Sequence, residues 1–129
     1  MALTPPLARA RWVASLWGLF LLILTSWPRP PQVPLLSEIP NFDKLVHSTL
    51  YAVEAFWMYR AVRWPGRARF SLARALAIAG VMAVWGAADE LHQAWIPGRS
   101  MEGRDVAADV AGAACGAVAA SARSWGSKD

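Results

Sequence analysis

Residues 89–104 read DELHQAWIPGRSMEGR, and the run continues as DVAADVAGAACGAV from Asp105. Asp89, Glu90, His92 and Gln93 close one apolar stretch, Arg99 and Ser100 follow in a Pro97-Gly98 turn, and Asp105 and Asp109 open the next stretch. A second group stands earlier in the chain. Behind Asp43, residues Lys44, His47, Tyr51 and Glu54 recur at steps of three, four and three, a spacing that keeps side chains on one face of a helix. Carboxylates and an imidazole held beside lipid are equipped for general acid–base work, because burial changes their proton affinity. Lys44 and the Arg99 guanidinium, whose fork matches phosphate in two bonds, are equipped to hold an anion. His47, Asp89, Glu90 and His92 offer nitrogen and oxygen ligands, with Asp89 and His92 three residues apart on one helical face. No HExxH or paired-histidine motif accompanies them, so no metal is assigned and the four are only weak candidates. The non-chemical reading is an ion-pair network in which Lys44 and Arg99 neutralise Asp89, Glu90, Asp105 and Asp109 and lock three helices in register. Ser48 and Ser100 lack a nucleophile elbow, and no glycine-rich phosphate loop or dinucleotide fingerprint occurs. Catalytic residues and cofactors are left unknown.

The elements that must position these groups are hydrophobic. The chain has 129 residues, one domain's worth, and is 56% hydrophobic with mean hydropathy +0.28 and eight Trp. Only 17% of it is charged, against about 25% in soluble domains. A chain this short and apolar must bury its surface in lipid or in a partner. The net charge of +4 does not point to nucleic acid, because the basic residues form no run interleaved with aromatics. Cys115 is the single cysteine, which excludes an intramolecular disulfide and thiolate metal spacing.

Four helices are predicted, over residues 12–27, 42–62, 72–95 and 105–122. The first leaves about 17 uncharged residues between Arg11 and Arg29, the lower limit for crossing a bilayer core. Thr25-Ser26-Trp27-Pro28 offers no small-x-small cleavage site, so an uncleaved membrane helix is expected rather than a signal peptide. Prolines at 28, 30, 31, 34 and 40 forbid a helix and make an extended connector. Asn41 is placed to cap the second helix, with Asp43 in its first turn. By a plain length test only the first segment spans unaided; the other three carry ionisable groups, each costing about 2.5–3.5 kcal/mol at the centre of a membrane helix. Those groups must therefore face one another. At about 1.5 Å per residue, His47 lies roughly 6 Å below Asp43, Asp89 and Glu90 roughly 8–9 Å inside Trp95, and Asp109 about 6 Å past Asp105, all in one leaflet. Gly112 and Gly116 form a small-residue seam for close helix approach.

Arg60, Arg63, Arg67, Arg69 and Arg74 bracket a Pro65-Gly66 turn with no acid among them, a cytoplasmic signature. With Arg9, Arg11, Arg123 and Lys128 they put nine basic residues inside, against Arg29, Lys44, Arg99 and Arg104 outside. Both termini are expected in the cytoplasm and the polar groups toward the outer surface. Trp12, Trp27, Trp64, Trp95 and Trp125 fall near predicted helix ends, as interfacial aromatics do.

Asp43-Lys44-x-x-His47-x-x-x-Tyr51, Asp89-Glu90-x-x-Gln93, Pro97-Gly98-Arg99-Ser100, Asp105, Asp109, Gly112 and Gly116 together resemble the VanZ-like family. These are small polytopic bacterial membrane proteins named for a member associated with glycopeptide (teicoplanin) resistance. The resemblance covers most of residues 43–116. It implies a four-helix membrane domain, in the bacterial cytoplasmic membrane, whose polar residues cluster on one side. Glu54 departs from the pattern, standing where an apolar residue is expected, and Asp109 occupies a position that suits Asn as readily. The expectation is an all-α, four-helix integral membrane bundle with an outward-facing polar pocket of Asp43, Lys44, His47, Tyr51, Glu54, Asp89, Glu90, Gln93, Arg99, Ser100, Asp105 and Asp109. Its expected partners are membrane lipids and an anionic lipid-linked cell-wall precursor, with effects on envelope maintenance or glycopeptide susceptibility. Two alternatives stand beside it: a hydrolase or transferase acting on a lipid-linked phosphate, and a structural, partner-binding protein in which the polar cluster only packs.

Overall fold

A computed structural model describes residues 5–28, 38–62 and 71–126. It is all-helical: α1 (Pro5–Thr25), α2 (Phe42–Ala61), α3 (Leu72–Gln93) and α4 (Gly103–Gly126) run up and down in turn, and no strand occurs among the described residues. The start of α1 and the close of α4 lie at the end where α2 finishes and α3 begins. The opposite end gathers the close of α1, the start of α2 and the α3–α4 turn. Most of the proline connector, the Pro65-Gly66 turn with Arg63, Arg67 and Arg69, and Lys128 lie outside the described residues.

α1 begins seven residues before the predicted start, at Pro5. Proline suits a first helical turn, whose N–H groups have no intrahelical acceptor, and Arg9 and Arg11 mark a change of surroundings rather than a helix end. Three helices are long and apolar enough to cross a membrane: Pro6–Thr25, Leu72–Gln93 and Gly103–Arg123. This corrects the expectation that only the first passes. The acids of α3 and α4 lie within two turns of the helix ends, and the remainder of each is nearly free of charge. α2 is the exception, and its polar residues Lys44, His47 and Tyr51 face the acids of α3 and α4.

α2 packs most extensively on α4, then on α1, and more lightly on α3, while α1 and α3 barely touch. The α2–α4 seam is built from small residues. Ala55, Ala113, Ala117 and Ala120 are fully buried. A side chain on Gly112 would fall onto the Ser48 carbonyl, and one on Gly116 onto that of Ala52. Backbones this close gain van der Waals contact along their length, the main source of helix association where lipid removes the hydrophobic drive. Tyr51, Tyr59, Ala75, Ile78 and Met82 fill the rest of the core. Leu16, Leu19, Phe20, Leu22 and Ile23 of α1 and Leu76, Val81 and Val84 of α3 remain exposed, as expected of helices facing hydrocarbon. Trp27 and Trp95 are exposed just past helix ends, whereas Trp12, expected at a helix end, is exposed about two turns inside α1 because that helix already begins at Pro5.

Two helix starts differ in kind. Asn41 occupies the cap position of α2 but adopts a left-handed backbone (φ 58°, ψ 23°), and its side chain makes no capping hydrogen bond. Asn tolerates that conformation, so its role is to turn the chain, not to cap. Ser71 does cap α3, accepting from Arg74 N at 3.3 Å. The Arg74 guanidinium lies over the Tyr59 ring at 4.0 Å and donates to the carbonyls of Tyr59 and Val62, closing the C-terminal turn of α2. Tyr59 donates to Ser121 Oγ at 2.9 Å, and the same oxygen accepts from Ser71 N at 3.1 Å. This end of the bundle is thus tied by hydrogen bonds, and the opposite end by charge.

Candidate functional site

The polar end is assembled around three centres. The first is Lys44, on the opening turn of α2. Its ammonium lies 2.7 Å from Asp43 Oδ2, 2.7 Å from Glu102 Oε2, and in contact with Asp105 Oδ1. Three carboxylates surround one cation there. Asp43 and Glu102 are exposed, so water screens their share and Asp105 is the partner that matters.

The second centre is one turn deeper. His47 Nδ1 stands 3.0 Å from Asp109 Oδ1, and Nε2 is 3.8 Å from Asp105 Oδ2. The imidazole therefore bridges two acids of α4 that are four residues apart, the spacing that puts them one above the other. Glu90 approaches from α3, and ligand-type atoms of His47, Glu90 and Asp109 lie within 4.8 Å of one another. Glu90 Oε2 accepts the backbone N–H of Glu102 at 2.8 Å, which pins the α3–α4 turn over the site. Asp109 fits because α3 has Gly86 opposite it: a Cβ there would sit 3.1 Å from Asp109 Oδ2 and 3.4 Å from Tyr51 Cε1.

The third centre is Asp89, met among the described residues by neutral donors. The Thr25 hydroxyl reaches Oδ1 at 2.8 Å, and the Tyr51 hydroxyl and Gln93 Nε2 each reach Oδ2 at 3.3 Å. Thr25 also lies 2.9 Å from the Leu21 carbonyl. With a single proton it donates to one acceptor at a time, and the acid is the stronger draw. Through these bonds Asp89 joins α1, α2 and α3.

Of the residues picked from the sequence, the structure thus brings together Asp43, Lys44, His47, Tyr51, Asp89, Glu90, Gln93, Asp105 and Asp109. Glu54 stands apart. It is 3% exposed and lines a cavity of about 520 Å³ with Arg11, Gly18 and Trp85, where its Oε2 has no hydrogen-bond partner. The reason is helical drift: at 3.6 residues per turn, the ten residues from Lys44 to Glu54 leave the two roughly 80° apart, so the polar stripe winds from α4 toward α1. His92 lines a separate cleft with Leu22, Val84 and Asp89, away from His47. Ser100 is exposed.

Arg99 follows a tight turn. Arg99 N bonds Ile96 O at 3.1 Å and Gly98 has φ 83°, a type II geometry that needs glycine at its third position. Among the described residues Arg99 makes no ion pair with any acid of the cluster, and its Nε is buried without a hydrogen-bond partner. The expectation that Lys44 and Arg99 jointly neutralise Asp89, Glu90, Asp105 and Asp109 is therefore corrected. Lys44 meets one of the four, Arg99 none, and His47 covers two.

Two residues escaped the reading of the sequence. Thr25 is a hydroxyl at the close of an apolar helix, which reads as back-bonding to its own turn. Glu102 reads as a solvated charge in a loop. Its position three residues before Asp105 was a usable signal, because both then border the first turn of α4.

Searches among curated proteins and among solved structures return no match. The VanZ/LLP1 family model matches residues 12–124, a stretch that takes in all three centres and most of the four helices. The chain is a membrane-type helical bundle with the polar residues of that pattern drawn to one end, and it belongs to the VanZ/LLP1 family.

Proposed function

We propose that this membrane protein binds an anionic component of the bacterial envelope at the end of the bundle that carries the Pro97-Gly98 turn, with Arg99 as the anchoring cation. The observation that carries the reading is the contrast between Lys44 and Arg99, two of the basic residues at that end, where Arg104 is also exposed. Lys44 is committed to Asp43, Glu102 and Asp105, whereas Arg99 holds a buried Nε with no partner among the described residues. An unpaired guanidinium donor beside a rigid turn suits a phosphate or carboxylate, which accepts two of its hydrogen bonds at once. The distribution of basic residues supports assigning this end to the outer surface of the cytoplasmic membrane. A lipid-linked cell-wall precursor presents such a headgroup there. Family membership supports an influence on envelope maintenance or glycopeptide susceptibility.

The test uses the purified full chain in detergent, with an isoprenoid phosphate and the matching uncharged isoprenoid alcohol as probes. The phosphate is expected to bind and the alcohol to bind much more weakly. Arg99→Gln should weaken phosphate binding by about 10–100-fold, the worth of one charged hydrogen-bonded contact of about 1.5–3 kcal/mol. Equal affinity for the two probes, or unchanged affinity in Arg99→Gln, overturns the reading. Steady release of inorganic phosphate during the same incubation would move the assignment to a hydrolase.

A structural role for part of the cluster has its own support. Asp89 is matched by three neutral donors from three helices, an arrangement that satisfies the acid and leaves little for a ligand.

A further inference from the structure

Two acidic triads lie side by side at the polar end. Asp43, Glu102 and Asp105 form one; His47, Glu90 and Asp109 form the other. The first surrounds the Lys44 ammonium. The second has no ammonium or guanidinium in contact among the described residues, although it is the more deeply enclosed: Glu90 and Asp109 are each 1% exposed. Two of their oxygens, Glu90 Oε1 and Asp109 Oδ2, are buried with no hydrogen-bond partner. Buried carboxylate oxygens are ordinarily paired or bound to a metal, and here one imidazole faces two enclosed acids and the flank of Asp105.

We infer that His47, Glu90 and Asp109 bind a divalent transition-metal ion. The donor set fixes the class: one imidazole nitrogen with two carboxylates suits Zn²⁺ or Mn²⁺, whereas Mg²⁺ and Ca²⁺ favour oxygen alone. Two carboxylates and a neutral imidazole match a charge of +2. Three protein ligands leave coordination positions for water or an incoming oxygen. The ligands come from three different helices, α2, α3 and α4, so the ion fastens the bundle where helix contacts are polar. The supports around it are in place: Glu90 Oε2 is held by the Glu102 backbone N–H, and the second nitrogen of His47 faces Asp105. Metal-ligating imidazoles and carboxylates need such outer partners to fix their orientation. Asp89 and His92 are not part of the site, the first being occupied by Thr25, Tyr51 and Gln93. This inference is independent of anion binding at Arg99, and its test contains no lipid ligand.

The full chain is purified in detergent, stripped with a chelator, and re-equilibrated with Zn²⁺ or Mn²⁺ alone. One ion per chain is expected by elemental analysis, together with a rise in melting temperature that the chelator reverses, because an ion bound only by the folded state stabilises it. Pulsed paramagnetic resonance of the Mn²⁺ form should show coupling to one imidazole nitrogen, lost in His47→Gln. Glu90→Gln and Asp109→Asn should each weaken metal binding by about a hundredfold or more, beyond the 10–100-fold typical of a merely supporting residue. Asp43→Asn, which alters the Lys44 triad, should leave it unchanged. If Asp109→Asn fails to fold, Glu90→Gln and the wild-type resonance spectrum decide the matter. No stoichiometric ion, no nitrogen coupling, or equal loss of metal in Asp43→Asn overturns the inference.

Discussion

Asp89 shows what a buried acid without a cation requires. Its partners are two hydroxyls and an amide, drawn from α1, α2 and α3 itself. Interhelical hydrogen bonds in membrane proteins average about 0.6 kcal/mol each, well below the cost of an unpaired donor in hydrocarbon, because the unfolded chain in lipid also finds partners. Removing Asp89 strands the Tyr51 and Gln93 donors, while Thr25 falls back on the Leu21 carbonyl, so Asp89→Ala should destabilise the fold by about 2 kcal/mol, read as a lower melting temperature in detergent. Asp89→Asn keeps an acceptor oxygen and should lose about half as much. The Arg99 and Glu90 variants discussed above belong to this scale too, but they report ligand and metal affinity, not stability. Adjacent in sequence, Asp89 and Glu90 project toward different neighbours, which is why one is satisfied by neutral donors and the other retains a free oxygen.

At the scale of elements, α2 is the helix that does not qualify as a span by composition, and its place in the bundle explains how it is tolerated. It is flanked by α1, α3 and α4, with Lys44, His47 and Tyr51 each matched by an acid from α3 or α4. The close approach of α4 makes the Lys44 and His47 matches possible, and that approach depends on glycine. Gly112→Ala would set a methyl against the Ser48 carbonyl, where neither backbone can yield without separating the helices. Overpacking of this kind costs about 1–3 kcal/mol. Gly112→Ala should therefore lower stability and loosen the His47–Asp109 pairing together, seen as reduced melting temperature and weakened metal retention. Gly80→Ala, which meets nothing within 4 Å, is the matched control and should behave as the wild type.

For the whole molecule, an up-and-down bundle puts the start of α1 and the end of α4 at one side and the charged cluster at the other. The positive-inside distribution of basic residues predicts the cluster on the outer surface. In a Cys115→Ser background, Ser100→Cys should react with a membrane-impermeant thiol reagent in intact cells, and Arg123→Cys only after permeabilisation. The reverse pattern would invert the bundle. Both positions are exposed, so access to reagent depends on the side of the membrane and not on burial.

Much of this was written along the chain. Four helices, the lipid-like faces, the glycine seam and nine of the polar residues that meet follow from local properties: apolar run length, proline positions, and a helical repeat that brings residues three and four apart onto one face. The Pro97-Gly98 turn was equally legible, because glycine alone accepts the backbone angle found there. Pairing was not legible. Which acid takes Lys44, why Glu54 faces α1 rather than α4, why Arg99 is left without a carboxylate, and why Thr25 reaches Asp89 all depend on how far each helix is rotated and how closely it approaches its neighbour. Sequence spacing fixes the angle between two side chains on one helix. The angle between helices is decided only when small residues, glycine gaps and bulky aromatics are packed against one another in three dimensions.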